Sequence, residues 1–200
     1  MKCLYNLTGV IDQKEEFKRT ICEWYHSFVL HRPILLTLTF NTYVKNGFEF
    51  EKTKLRMRKN HKHFFNELHR QVFKTSNAKI PRYVVIERGG HTRGFHSHIV
   101  IETPKHLSIS NFERLTRASW YKPKDSVSLH FEEAYNKQGL DDYLAKQQFL
   151  QMNIAEIDFD NSVMNKSNSI SNKAIEGRMK QLRLRNNELL NHQTVRASYL

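Results

Sequence analysis

Apolar and polar residues alternate strictly through 34–41: Ile34, Leu36, Leu38 and Phe40 on one side, Leu35, Thr37, Thr39 and Asn41 on the other. That period of two predicts a strand with one hydrophobic and one hydroxyl-bearing face. Two further apolar runs, Tyr83–Ile86 and Ile99–Ile101, flank a turn containing Gly89, Gly90 and Gly94, which predicts a β-hairpin. Val127–Phe131 alternates as a fourth strand. Between the strands the period lengthens. Phe17, Ile21, Trp24, Tyr25 and Phe28 form one helical stripe within 14–31, closed by Pro33, and Met57, Phe64, Phe65, Leu68 and Val72 form another within 51–74. Ser110 and Glu113 have the spacing of a capping box for a helix to about Ser119, and 140–152 reads as a last helix. The order β-α-β-β-α-β-α predicts an α+β fold of ferredoxin or RRM-like type, an antiparallel-rich central sheet with helices on one face.

Around that domain (33–152) the pattern predicts an N-terminal helical extension (1–32) that packs as a lid or brace. A polar linker and basic C-terminal segment (153–200) follows, with Asn161–Lys173 rich in Asn and Ser and a short helix possible after it. Charge adds a partner to the picture. The 32 Lys and Arg against 20 Asp and Glu leave +12 at pH 7, an excess that favours a polyanion, foremost nucleic acid. From Lys45 to Arg82 there are 11 basic residues against 3 acidic ones, so Lys54, Arg58 and Lys62 are candidate phosphate contacts on a helix expected to lie next to the site. No apolar run approaches membrane-spanning length and the N-terminus lacks a signal-peptide core. Cys3 and Cys22 have no metal-type spacing and make no disulfide framework, which points to a reducing, cytoplasmic setting.

The hairpin carries the chemistry. Alternation puts His96 and His98 on one face of its second strand and Phe95, Ser97 and Ile99 on the other. With Glu87 opposite either histidine, two imidazoles and a carboxylate converge as a triad for a divalent cation, Mn²⁺ or Mg²⁺, with open positions. Arg88, His91 and Arg93 on the turn are candidate phosphate contacts. His61 and His63 repeat the His-x-His spelling, but on a helix two positions diverge by about 200° and make no site.

Three stretches now stand in a telling order: Leu36-Thr-Leu-Thr39, His96-Ser97-His98 and Tyr143-Leu-Ala-Lys146. Over roughly 34–150 the chain resembles the HUH endonucleases, in particular the rolling-circle replication initiators of plasmids and single-stranded DNA viruses. It departs at Ser97, where the family carries a bulky apolar residue. The resemblance implies that Tyr143 attacks the scissile phosphate of single-stranded DNA at an origin or hairpin, with Lys146 assisting. Gln147, four residues after Tyr143, also resembles the single-tyrosine HUH transposases, where that glutamine completes the metal site, so Gln147 stands as an alternative to Glu87. The resemblance places the protein in a bacterial, archaeal or virus-infected cell. No Gly-x-x-x-x-Gly-Lys-[Ser/Thr] occurs, so unwinding would fall to a host helicase or to supercoiling, with a host polymerase following. Tyr135 is a rival nucleophile without a lysine three residues on. A non-catalytic RRM-like module is the competing class: Arg93-Gly94-Phe95 opens like its RNP1 pattern, but the second stacking aromatic is absent.

Overall fold

The computed structural model describes residues 4–28, 30–40, 47–75, 78–88, 95–123, 125–136, 139–141, 144, 157–164 and 172–197. In chain order these form α1 (Leu4–His26), β1 (Pro33–Phe40), α2 (Gly47–Phe73), β2 (Arg82–Arg88), β3 (Phe95–Glu102), α3 (Ile109–Trp120), β4 (Ser126–Glu133) and α4 (Asn172–Ala197). Residues 139–141 and 144 are also helical. The strands make one sheet in the order β2-β3-β1-β4, every neighbouring pair antiparallel. With β3 inserted between β1 and β2, this is a split β-α-β arrangement. It is α+β around a central antiparallel sheet, as the periodicity predicts.

One face of the sheet builds the main core. Ile34, Leu36, Leu38 and Phe40 of β1, Val84 and Ile86 of β2 and Ile99 and Ile101 of β3 are buried there beneath Phe64 and Leu68 of α2 and Phe112 and Trp120 of α3. Full burial of a side chain of this size contributes about 1.5–3 kcal/mol. Ser108, not Ser110, caps α3. Its side chain accepts from the Asn111 N–H at 3.2 Å, while Glu113 pairs with Arg117 at 2.7 Å. An earlier start brings Ile109 into the helix, where it packs against the core.

The helices are not confined to that face. Tyr83, Val85 and Val100 point to the opposite side, and leaving them in water would forfeit the same burial energy. The α1 stripe of Phe17, Ile21, Trp24, Tyr25 and Phe28 covers them, joined by Ile175, Met179 and Leu182 of α4. Trp24 donates its indole N–H to Asn172 at 3.1 Å, and Arg178 pairs with Glu16 at 3.3 Å, so the two helices are tied to each other. The brace expected of the N-terminal helix is therefore half of a second core.

Part of the expected linker is packed against the sheet. Arg82 and Val163 exchange backbone hydrogen bonds of 2.9 and 2.8 Å, and the Asp158 N–H donates to the Val84 carbonyl at 3.0 Å. Residues 157–164 thus run along the outer edge of β2 and satisfy backbone groups that an edge strand would otherwise leave open. Asn161 and Ser162 are buried in that contact. Among the described residues no helix is long and apolar enough to cross a membrane.

If α1 is a structural layer, Trp24→Ala should lower the free energy of unfolding by about 3–5 kcal/mol, the usual cost of emptying a large aromatic site. Urea denaturation followed by far-UV circular dichroism measures this; a change of only a few tenths would show α1 to be an appendage.

Candidate metal centre

Antiparallel register decides which side chains meet on the second face. In β2–β3, Glu87 stands directly opposite His96 and Val85 opposite His98. On the other side of β3, Thr37 of β1 faces His98 and Thr39 faces His96. Directly paired residues share a face, so an acid, two imidazoles and two hydroxyls gather where the apolar cover of α1 and α4 stops. The imidazoles are nearly perpendicular, at 87° with ring centroids 5.0 Å apart.

Both histidines aim Nε2 at one carboxylate oxygen. His98 Nε2 lies 3.0 Å and His96 Nε2 3.2 Å from Glu87 Oε2. Ligand atoms at right angles around a cation, with bonds of about 2.1 Å, stand about 3.0 Å apart. Both imidazole–carboxylate spacings match that value, and with the three donors all within 4.8 Å of one another the cluster could hold a metal ion. Side-chain exposures of 24 % for His96, 13 % for His98 and 17 % for Glu87 shield the site yet leave it reachable. Hydrogen bonds from His96 and then His98 hold the Glu87 carboxyl well below the usual carboxylate range, outweighing its partial burial. The acid is ionised and ready to act as a ligand.

Thr37, on the hydroxyl-bearing face of the Leu36-Thr-Leu-Thr39 stretch, supports one imidazole, a part the sequence pattern did not assign to it. Its hydroxyl lies 3.2 Å from His98 Nδ1. A hydroxyl can donate or accept. As an acceptor it favours a proton on Nδ1, so that a cation could replace the Nε2 proton that His98 shares with Glu87.

Behind the site runs a second polar network. Ser97, between the two histidines, points into the main core, where its Oγ meets His61 Nε2 at 2.9 Å. His61 Nδ1 in turn meets Asp158 Oδ2 at 2.7 Å, and Asn161 donates to the same oxygen at 2.8 Å. Ser97, His61 and Asp158 are all fully buried. The sequence of groups is that of a nucleophile, base and acid, but complete burial keeps any substrate from the serine. What the network does is hold β3 from behind at the residue separating the two candidate ligands. The only sequence signal for it was a serine at an inward position flanked by Phe95 and Ile99, which demands a buried partner. His61 and His63 do diverge: the first is buried, the second exposed.

No protein-family model, curated protein or solved structure matches the chain.

The other expected site residues separate into groups. Tyr143, Lys146, Gln147 and Arg93 lie outside the described residues, as does the Arg88 side chain. The residues bracketing Tyr143 are placed, however. Asp141 is buried and accepts from the Tyr83 hydroxyl, and Leu144 is buried in the cluster with Tyr83 and Val85, on the triad's face of the sheet. Tyr83 itself is no nucleophile, because burial and then the Asp141 carboxylate push its phenol well up. Tyr135 is exposed beyond the Glu133 end of β4, which pairs with Ile34. The triad lies toward the other end of β1, opposite Thr37 and Thr39, about 10–17 Å further along the strand at ~3.3 Å per residue. The basic helix α2 is not next to the triad, as its charge had suggested, but on the opposite face of the sheet. Its apolar stripe, seated on the main core, dictates that side. Lys54 is buried and paired with Glu51 at 3.5 Å, so it is not an exposed phosphate contact. Arg58 and Lys62 face a pocket on that rear side. Phe95, which opens the RNP1-like run, is buried in the main core and offers no ring for base stacking.

Two outcomes are expected. In calorimetric titration with Mn²⁺, His96→Ala, His98→Ala and Glu87→Gln should each lose binding. Thr37→Val should weaken it by about 10–100-fold, the usual penalty for removing a hydrogen-bond support behind a ligand; unchanged affinity would deny Thr37 that part. Separately, Asp158→Asn should destabilise the fold by about 1–3 kcal/mol in urea, because it removes the buried charge that His61 is bonded to.

Proposed function

We propose that the chain is a divalent-metal-dependent DNA endonuclease and strand transferase of the HUH type, nicking single-stranded DNA at an origin or hairpin to start rolling-circle replication. The observation that carries this reading is the convergence of Glu87, His96 and His98 on the sheet face shared with Tyr83, Val85 and Val100, beyond the described apolar cover of α1 and α4. The docking of Asp141 and Leu144 on that same face supports it, because Tyr143 lies between them in sequence. The buried Phe95 speaks against a stacking-based RNA-binding module.

The chemistry follows from the parts. Glu87, His96 and His98 would hold a Mn²⁺ or Mg²⁺, which when bound would supply Lewis-acid stabilisation of the charge on a non-bridging phosphate oxygen during an in-line displacement. Manganese suits a site with two imidazoles and one carboxylate better than magnesium, which prefers oxygen ligands. Glu87 Oε2 and the two Nε2 atoms would be the cation's protein donors. Gln147 remains a candidate fourth ligand by its resemblance to the transposase motif. The Tyr143 oxygen forms a bond to phosphorus as the bond from phosphorus to the 3′ oxygen breaks. The phenol proton is lost, the departing 3′ oxygen takes up a proton, and the 5′ phosphate stays on the tyrosine as an ester. Lys146, three residues on and therefore on the same face if the segment is helical, favours the phenolate or pairs with the phosphate. Rejoining is the same displacement in reverse, with a 3′ hydroxyl as nucleophile.

With Mn²⁺ and labelled single-stranded origin DNA, the wild-type protein should leave a covalent adduct that survives a denaturing gel. Tyr143→Phe should bind the same DNA and leave none, and adduct formation by that variant would remove Tyr143 from the role. His96→Ala should reduce adduct formation at least 100-fold, on the order of what positioned electrostatic catalysis contributes. Full wild-type activity in excess chelator would rule out the cation.

A further inference from the structure

The rear face of the molecule holds a second concentration of charge. A pocket of about 370 Å³ lies between α2, the edge of β2 and the 157–164 segment. Arg58, Lys59, Lys62, Lys79 and Arg82 line it, against one carboxylate, Asp160. An excess of one sign in a concave, low-dielectric setting focuses the field and attracts a counter-ion.

Arg82 gives the pocket a specific floor. Its guanidinium is almost wholly buried and sits over the Phe65 ring, 3.6 Å from the centroid. One terminal nitrogen donates to the Ile80 carbonyl at 2.8 Å and meets His69 Nε2 at 3.2 Å. That same His69 nitrogen accepts the Ile80 N–H at 3.3 Å, so it carries no proton. Burial, then the neighbouring Arg82 charge, lowers the His69 pKa to about 3 and keeps the ring neutral. Among the described residues no carboxylate lies within ion-pair distance of Arg82, and its Nε has no hydrogen-bond partner. Asp158 acts on it only through space: its Oδ2 is engaged by His61 and Asn161, and its Oδ1 has no hydrogen-bond partner. Burial pushes the Arg82 pKa down to about 9, which still leaves it charged at neutral pH. A buried cation held only by neutral acceptors is costly, and an anion in the pocket would offset that cost.

We propose that this pocket is a phosphate-binding site for a nucleic-acid backbone, on the opposite side of the sheet from the metal triad. The choice of a strand over a lone phosphate rests on extent. Arg58, Lys59 and Lys62 spread along more than one turn of α2, with Lys79 across from them, a line longer than one phosphate group. The choice of nucleic acid rests on the proposed function, but the pocket needs neither the metal nor Tyr143 to bind. Arg82 provides the planar donor fork suited to phosphate, and the lysines provide point charges at the rim.

The test uses the full chain in chelator, with a labelled single-stranded oligonucleotide of mixed sequence, and reads anisotropy across a salt series. Combining Lys62→Gln with Lys79→Gln, both exposed positions that leave the core untouched, should weaken binding about tenfold. It should also reduce the salt slope by about 1.4, two phosphate contacts at ~0.7 each for a single strand. Arg82→Lys, which keeps the charge but loses the fork, should weaken binding on its own, and should it not fold the rim variant still decides. Unchanged affinity and slope in the rim variant would overturn the proposal. So would thermal stabilisation by pyrophosphate that the rim substitutions abolish while oligonucleotide binding stays the same, since the pocket would then serve a small free anion. Because no metal is present, this result and the adduct assay succeed or fail independently.

Discussion

A slip of one residue between β2 and β3 would turn Glu87 toward the main core and leave two imidazoles on the far face without an acid. The pairing of Glu87 with His96 is therefore the constraint on which the candidate centre depends. Burial on the first face enforces it, because the same slip would expel Val84 and Ile86 from beneath α2. The metal-binding geometry is thus held in place by hydrophobic energy that never touches it.

The structure adds a second lock at the same level of the sheet. Ser97 lies between the two histidines in sequence and opposite them in space, and its bond to His61 ties β3 to α2. Asp158 then ties α2 to the strip that edges β2. Two elements, α2 and the 157–164 strip, back the strand from behind while Thr37 steadies one imidazole from the front. Each polar group in this chain is costly to bury alone and favourable only when its neighbour is in place. A substitution anywhere along it would therefore be felt at the histidines.

Strand alternation was legible because period-two patterns survive in a sheet with one apolar face, and Glu87 could be put on the histidine face because opposed residues of an antiparallel pair share a face, while which histidine it opposes was left open. The covering of the second face was harder to read. Tyr83, Val85 and Val100 share their side of the sheet with His98 and Glu87, so the strands read as mixed, and nothing local revealed that α1 and α4 close over part of that face. The charge of α2 was real but its position was not deducible from sequence, since a helix goes where its apolar stripe is buried. The strip at 157–164 was hidden by composition: Asn161 and Ser162 suggest a linker, and their partners, Arg58 and Val84, lie about 80 to 100 residues upstream.

The bond between Trp24 and Asn172 joins positions 148 residues apart. During synthesis the first core can close once β4 has emerged, but the aromatic face of α1 must wait for the C-terminal helix to complete its cover. Until then Trp24, Tyr25 and Phe28 are incompletely shielded, a window in which a nascent chain is exposed to chaperones and to aggregation. Maturation of this fold is therefore timed by its last helix, and a ribosome stalled before residue 172 would hold a formed sheet with a sticky back.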